Sequence, residues 1–262
     1  MLILNEEKYA KSVYDGINTE IKSIMSKIRY ITRYLLYVKN KTDEEIYKDA
    51  VVWMSKYHNN FDESYYSNLI SSAITQAHKY SFYNIENIKI TKSELDVISS
   101  LDNLRAEKVL FVLLCMAKQQ SVSNGFTNGL VKYSITELCK MARISVPAED
   151  REYILYDIVQ KGHLGYPKKN NTQCLIVNFI NDEDEAVLTL DEMDCQELAY
   201  IYLNWKNDGK GYTRCQRCNR LIKQSKTKPR KYCEECAKDV EREQKRLWAE
   251  KSRKNLTPQN DW

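Results

Sequence analysis

Cys215 and Cys218 are separated by two residues, as are Cys233 and Cys236, and fourteen residues lie between the pairs, in RCQRCNRLIKQSKTKPRKYCEECAKD over 214–239. A Cys-x-x-Cys turn aims two thiolates at one point, and two such turns supply the four sulfurs of a tetrahedral zinc shell. Four protein ligands leave no position for an activated water, so the spacing points to one structural Zn2+ rather than a catalytic one. The competing readings are unligated cysteines and a redox dithiol, and a dithiol calls for a single Cys-x-x-Cys in a βαβ setting.

The charge around these cysteines asks for a partner. From Lys210 to Trp262 there are sixteen Lys and Arg against seven Asp and Glu, a formal +9, so the other 209 residues, with 24 against 29, carry −5. The chain's modest net +4 hides this polarity. Four thiolates with one zinc ion would take the segment to about +7. A strongly basic tail on an acidic body is the footprint of nucleic-acid binding by phosphate neutralisation, which falls steeply with salt and carries little sequence information. The candidate contacts are Lys223, Lys226, Lys228, Arg230 and Lys231 between the cysteine pairs, with Arg242, Lys245, Arg246, Lys251, Arg253 and Lys254 after them. Glu241, Glu243 and Glu250 are interleaved with the latter, so part of that stretch also reads as an ordinary mixed-charge face.

No catalytic constellation accompanies the cysteines. None of the seven glycines builds a phosphate-binding loop or a dinucleotide fingerprint, and His58, His78 and His163 are scattered and far along the chain from the zinc cysteines. Cys115, Cys139, Cys174 and Cys195 lack a nucleophile signature. The expectation is a binding protein and not an enzyme.

The elements that must carry these residues read as mainly α. Seven Gly and four Pro in 262 residues, with 29% charged residues, favour helices joined by short connections, and 43% hydrophobic content supplies a core. No apolar run approaches the roughly 18 residues that cross a bilayer, and MLILNEEKYAK lacks a leader's apolar stretch, so a cytoplasmic setting without membrane contact is expected. In that reducing setting close cysteine pairs favour metal over disulfides.

Three regions follow: a helical domain over 1–102, a second domain over 103–208, and the zinc-binding segment over 209–262. In the first, apolar residues recur at helical spacing from Glu6 to about Asn40, Ile17, Ile21, Ile24, Met25 and Ile28 forming one run. Thr42 with Glu45, and Thr91 with Glu94, are capping boxes that open further helices, and another helical pattern runs from about Asp62 to Tyr80. In the second, LRAEKVLFVLLCMAKQQ is an apolar helix, SITELCKMARI is a helix opened by Ser134 and Glu137, and Pro147 starts a third that stops near Gly162. LGYPKKNNTQCLIVNFIN then reads as strand, turn, strand. Between the cysteine pairs RLIKQSKTKPRKY suits a β-hairpin, and AKDVEREQKRLWAEKSRK is a helix.

Three helices and a hairpin resemble a winged helix-turn-helix domain, over about eighty residues. That resemblance implies DNA contact through the third helix or the wing. Glu149, Asp150, Glu152 and Asp157 against Arg151 make the third helix a poor phosphate neighbour, whereas Lys168 and Lys169, with Asn170 and Asn171, give the wing tip donors. Cysteine turn, hairpin and a helix at the second pair resemble a treble-clef zinc finger or a zinc ribbon. The whole order, ending in CQRCNRLIK and KYCEECAK, is similar to phage and prophage proteins of AT-rich Gram-positive bacteria. That resemblance supplies no activity; the zinc segment and basic tail lead to the expectation of a regulatory or accessory role in transcription or replication, on DNA in preference to RNA. The alternative is an adaptor or inhibitor that uses its acidic body on a host protein, as an anti-defence protein would.

Overall fold

The computed structural model of the chain describes residues 2–17, 23–126, 128–168, 173–225 and 227–255. The structure is 55% helical, with ten helices and a few small sheets among the described residues. No helix among them is long and apolar enough to cross a membrane. By packing, the chain divides into two units: one comprises residues 2–88 and 118–127, the other 89–117 and 128–262.

The first unit is built on α1 (Glu6–Tyr14), α2 (Ile24–Tyr37), α3 (Asp43–Tyr57) and α4 (Glu63–Ala77). Each starts where a side chain accepts an orphan amide: Asn5 takes Lys8 N at 2.8 Å, Ser23 takes Ser26 N at 3.4 Å, Thr42 and Glu45 close a capping box, and Asp62 takes Ser64 N at 2.8 Å. The inward faces bring Ile28, Ile31, Leu35, Ile46, Met54 and Ile70 into one core, each such side chain contributing about 1.5–3 kcal/mol of transfer free energy. Trp53 joins this core and donates its Nε1–H to Tyr14 O at 2.8 Å, which spares its one polar group an unsatisfied burial. The expected apolar run from Glu6 to Asn40 is two helices. Gly16 has φ +71°, a conformation that ends α1, and Ile17 beyond it is 74% exposed instead of joining the apolar face. Ile21 lies outside the described residues.

The second unit begins with β1 (Ile88–Thr91) and α5 (Lys92–Ser99), which Thr91 and Glu94 open as the expected capping box. The next helix, α6 (Leu104–Asn124), belongs to this unit as far as Ala117 and is buried on every side from Val109 to Cys115. After it come β2 (Leu130–Lys132), α7 (Ile135–Met141), α8 (Ala148–Gln160), β3 (Leu164–Gly165) and β4 (Cys174–Val177). These three strands form an antiparallel sheet in the order β2-β4-β3, with Val131 opposite Leu175 and Leu164 opposite Val177. Ser134 does precede α7, but its side chain makes no capping bond, so the box expected with Glu137 is absent.

The strand β5 (Ala186–Leu190) pairs with β1, and a 3-10 turn over Asp194–Gln196 leads into α9 (Leu198–Lys206). That helix is fixed to α6 by a polar cluster: the buried Glu107 carboxylate accepts from the Tyr202 hydroxyl at 2.9 Å and from Lys206 Nζ at 2.5 Å. A buried carboxylate is stable only when so paired. The chain then closes with β6 (Tyr212–Arg214), β7 (Leu221–Lys223) and α10 (Glu234–Asn255).

Gly129 sets the start of β2. Its φ is +69°, its carbonyl accepts Val177 N at 2.9 Å, and a Cβ there would stand 2.2 Å from Val177 O. Replacing it with Ala adds left-handed strain and a backbone clash, so Gly129→Ala is expected to lower stability by about 2 kcal/mol or more. A urea titration followed by far-ultraviolet circular dichroism measures that loss.

Candidate metal centre

The two cysteine pairs sit on different elements. β6 and β7 pair antiparallel, with Tyr212 opposite Lys223 and Arg214 opposite Leu221, and the turn that joins them carries Cys215 and Cys218. Inside it Cys215 N donates to Arg220 O and Asn219 N to Cys215 O, both at 2.9 Å, and Asn219 takes the left-handed conformation that lets the turn close. The hairpin therefore encloses the first pair and does not lie between the pairs as expected. Arg214 and Leu221 are its last paired residues, and β7 is followed by a loop whose register is set by two bonds between the Gln224 side chain and the backbone of Arg230. Cys233 lies at the mouth of α10 and Cys236 in its first turn, where Cys236 N points at Cys233 Sγ (3.5 Å). The positive end of a helix favours thiolate there.

All four sulfurs lie within 4.8 Å of one another. Cys218 Sγ and Cys233 Sγ are 3.7 Å apart, and sulfurs at two corners of a tetrahedron about zinc, each about 2.3 Å from the metal, would stand about 3.8 Å apart. Three of the four cysteines are buried and Cys218 is half-buried, and all are free thiols. Their proton affinities conflict. Burial opposes ionisation of Cys215, but amides of Cys218, Cys233 and Arg217 outweigh it and bring the thiol down to about 6. Burial pushes Cys218 up, and burial together with the neighbouring sulfurs pushes Cys236 far up. Amides thus favour the thiolate at Cys215 and do not at Cys218 or Cys236. A divalent cation at the centre would support all four, and this donor set fits Zn2+.

The module is fastened to the rest of its unit by arginine. Arg214 donates to the buried Asp194 carboxylate at 2.7 Å. Glu197, also buried, accepts from Arg143 Nε at 3.0 Å and has Arg220 Nη1 at 4.0 Å; Arg220 further reaches Gln196 Oε1 at 2.6 Å and Glu235 at 3.2 Å. Arg143 adopts φ +48° just past α7 and lays its guanidinium 4.2 Å over the Tyr200 ring. None of these clamp residues carries a local sequence signal, because every partner is distant in the chain.

The candidate nucleic-acid contacts separate into groups. Lys223 on β7 and Lys228, Arg230 and Lys231 on the loop are exposed; among the described residues none of them closes an ion pair with a carboxylate, although the field of Arg230 reaches Glu234. On α10, Arg242 pairs with Asp239 at 3.4 Å, Lys245 with Glu241 at 2.6 Å and Lys238 with Glu234 at 2.9 Å, while Arg246 is exposed without such a partner. Lys168 is exposed after β3. Lys226 and Lys169, with Asn170 and Asn171, lie outside the described residues, as do the side chains of Arg253 and Lys254. The histidines stay apart from the cysteines: His58 contacts the Tyr66 hydroxyl and His78 the Asp43 carboxylate, both at 2.8 Å.

Metal analysis of the purified chain is expected to give one zinc per chain, and Cys215→Ser or Cys236→Ser to abolish tight retention. Because the raised thiols must lose protons to bind metal, apparent affinity should climb with pH through neutrality, by about tenfold per unit for each proton released. Glu197→Ala is expected to cost about 2 kcal/mol, since it strips two partly exposed guanidinium groups of their buried counter-charge, and to leave zinc content unchanged. Comparison with protein-family models, with curated proteins and with solved structures gave no match to this chain.

Proposed function

We propose that the chain binds nucleic acid, duplex DNA in preference to RNA, through a module held by one structural zinc ion, as a regulatory or accessory protein of a phage or other mobile element. One observation carries this reading. The module's carboxylates are engaged, by Arg217 on Glu243, Arg220 on Glu235 and Lys238 on Glu234, while Lys223, Lys228 and Lys231 face solvent without a carboxylate and Arg230, exposed beside them, shares only the field of the already paired Glu234. Exposed cations left uncompensated on a fixed scaffold suit the phosphate backbone, which they neutralise with release of counterions. A turn-borne cysteine pair and a pair at the start of a helix support a treble-clef reading of the module.

The order α6, β2, α7, α8, β3, β4 with its β2-β4-β3 sheet supports a winged-helix reading of the middle of the chain. Its third helix does not suit a groove. α8 exposes Glu149, Asp150, Glu152 and Asp157, charges that phosphate would repel. The same face favours a second reading, in which α8 meets a basic surface of a host protein: Tyr153 and Tyr156, about one turn apart among those carboxylates, are 71% and 56% exposed. Aromatic side chains left in water on a charged helix suit an interface.

The two readings part on one experiment. Labelled duplex DNA and single-stranded RNA are titrated with the intact chain, with a Lys228→Gln/Arg230→Gln/Lys231→Gln variant and with a Tyr153→Ala/Tyr156→Ala variant. Loss of three phosphate contacts should lower the slope of log affinity against log salt by roughly 2.7 for duplex. The tyrosine variant is expected to bind as the parent does. Equal binding by the loop variant and the parent, or none by either at low salt, contradicts the nucleic-acid reading.

A further inference from the structure

The cations without counter-charge do not stop at the edge of the metal module. Arg105 and Lys108 lie on the first turns of α6, Arg105 exposed and Lys108 partly so, and the Lys108 ammonium donates to Arg143 O at 3.1 Å. Arg143 and Lys223 line a common cleft of about 400 Å³ whose walls also hold Tyr200, Arg230 and Lys238. The acids in that cleft are committed elsewhere: Glu197 to Arg143 and Arg220, Glu235 to Arg220, Glu234 to Lys238. Glu107, next to Lys108 in sequence, is turned inward onto Tyr202 and Lys206. Among the described residues nothing anionic is left over for Arg105, Lys108 or Lys223.

We infer that Arg105, Lys108, Arg143 and Lys223 form a phosphate site on the α6 side of the cleft, continuing the track of the metal-centred loop so that one nucleic-acid backbone contacts both. The inference rests on the nucleic-acid reading above and adds to it a surface from a part of the chain far from the cysteines in sequence. The electrostatics support it. Burial first, and then the fields of Arg105, Arg143 and Lys223, lower the proton affinity of Lys108, so these cations sit close enough to repel one another. Gathered like charges destabilise a protein on its own, and an anion laid across them relieves the repulsion. The Arg143 guanidinium, held against Tyr200 and Glu197, cannot swing away to relieve it.

The test uses the full chain and a labelled duplex of about 20 base pairs over a salt series. An Arg105→Gln/Lys108→Gln variant is compared with the parent, with the loop variant described above, and with a Lys48→Gln/Lys79→Gln variant that removes equal charge from exposed sites of the other unit. The site predicts a salt slope shallower by roughly 1.8 for two lost phosphate contacts, and about a tenfold or greater loss of affinity near 0.1 M salt. The distant double variant should move neither by comparable amounts. Because Lys108 is partly buried, the single Arg105→Gln variant is run beside the double, and is expected to lower the slope by roughly 0.9. If the parent binds and the loop variant weakens, yet both Arg105 variants behave like the distant one, the extended site is wrong and the nucleic-acid reading stands. If the parent does not bind the duplex at any salt, both fall.

Discussion

Four sulfur atoms within 4.8 Å of one another, three on buried cysteines, make a cluster that the protein alone ionises poorly. Each thiolate wants a cation or several amides, and the amides present bring Cys215 down while Cys218 and Cys236 are pushed up. The hairpin turn and the first turn of α10 meet at the sulfurs, and the ion pairs Arg220–Glu235 and Arg217–Glu243 join the turn to that helix at the surface. Gln216 N to Lys231 O at 3.0 Å and Cys233 N to Cys215 Sγ at 3.3 Å are the bonds that cross between the two halves near the sulfurs. A module this small has too few apolar side chains to fold by burial, and its core is the cysteines with Ile222 and Tyr232. A metal ion held by the four cysteines would supply what apolar area does not.

A second constraint turns the module into part of a surface. Asp194 and Glu197 are buried at the entry to α9, where Arg214 of the module meets Asp194, and Arg143 from the end of α7 meets Glu197 with the module's Arg220 beside it. α9 is in turn fixed to α6 through Glu107, Tyr202 and Lys206. A chain of buried carboxylates, each satisfied by a base from the next element, thus links the cysteine turn to the helix that carries Arg105 and Lys108. Acidic residues do the internal fastening, and the bases not used in it are left outside. This separation explains how a molecule of net charge only +4 presents a strongly cationic edge.

What the sequence made legible was local. Capping boxes at Thr42 with Glu45 and Thr91 with Glu94 are three-residue signals, and the helices they open start there. The cysteine spacing is similarly short-range, and the four sulfurs do converge. The same logic failed at Ser134, whose side chain forms no cap bond, and at Gly16, where one residue in a left-handed conformation ends a helix that periodicity alone would continue. The strand β2 is three residues long and gains its stability from β4, more than forty residues away, so no local pattern announces it. Clamp residues were hidden for the same reason. Arg143 and Glu197 are ordinary charged residues until the fold sets them side by side.

The zinc K-edge X-ray absorption spectrum of the purified chain tests the central claim most directly, because it reports the identity and distance of the atoms around the metal. The account predicts a single shell of four sulfurs at about 2.3 Å, with no nitrogen or oxygen ligand. A folded chain that retains no metal, or a shell containing light-atom ligands, would contradict it.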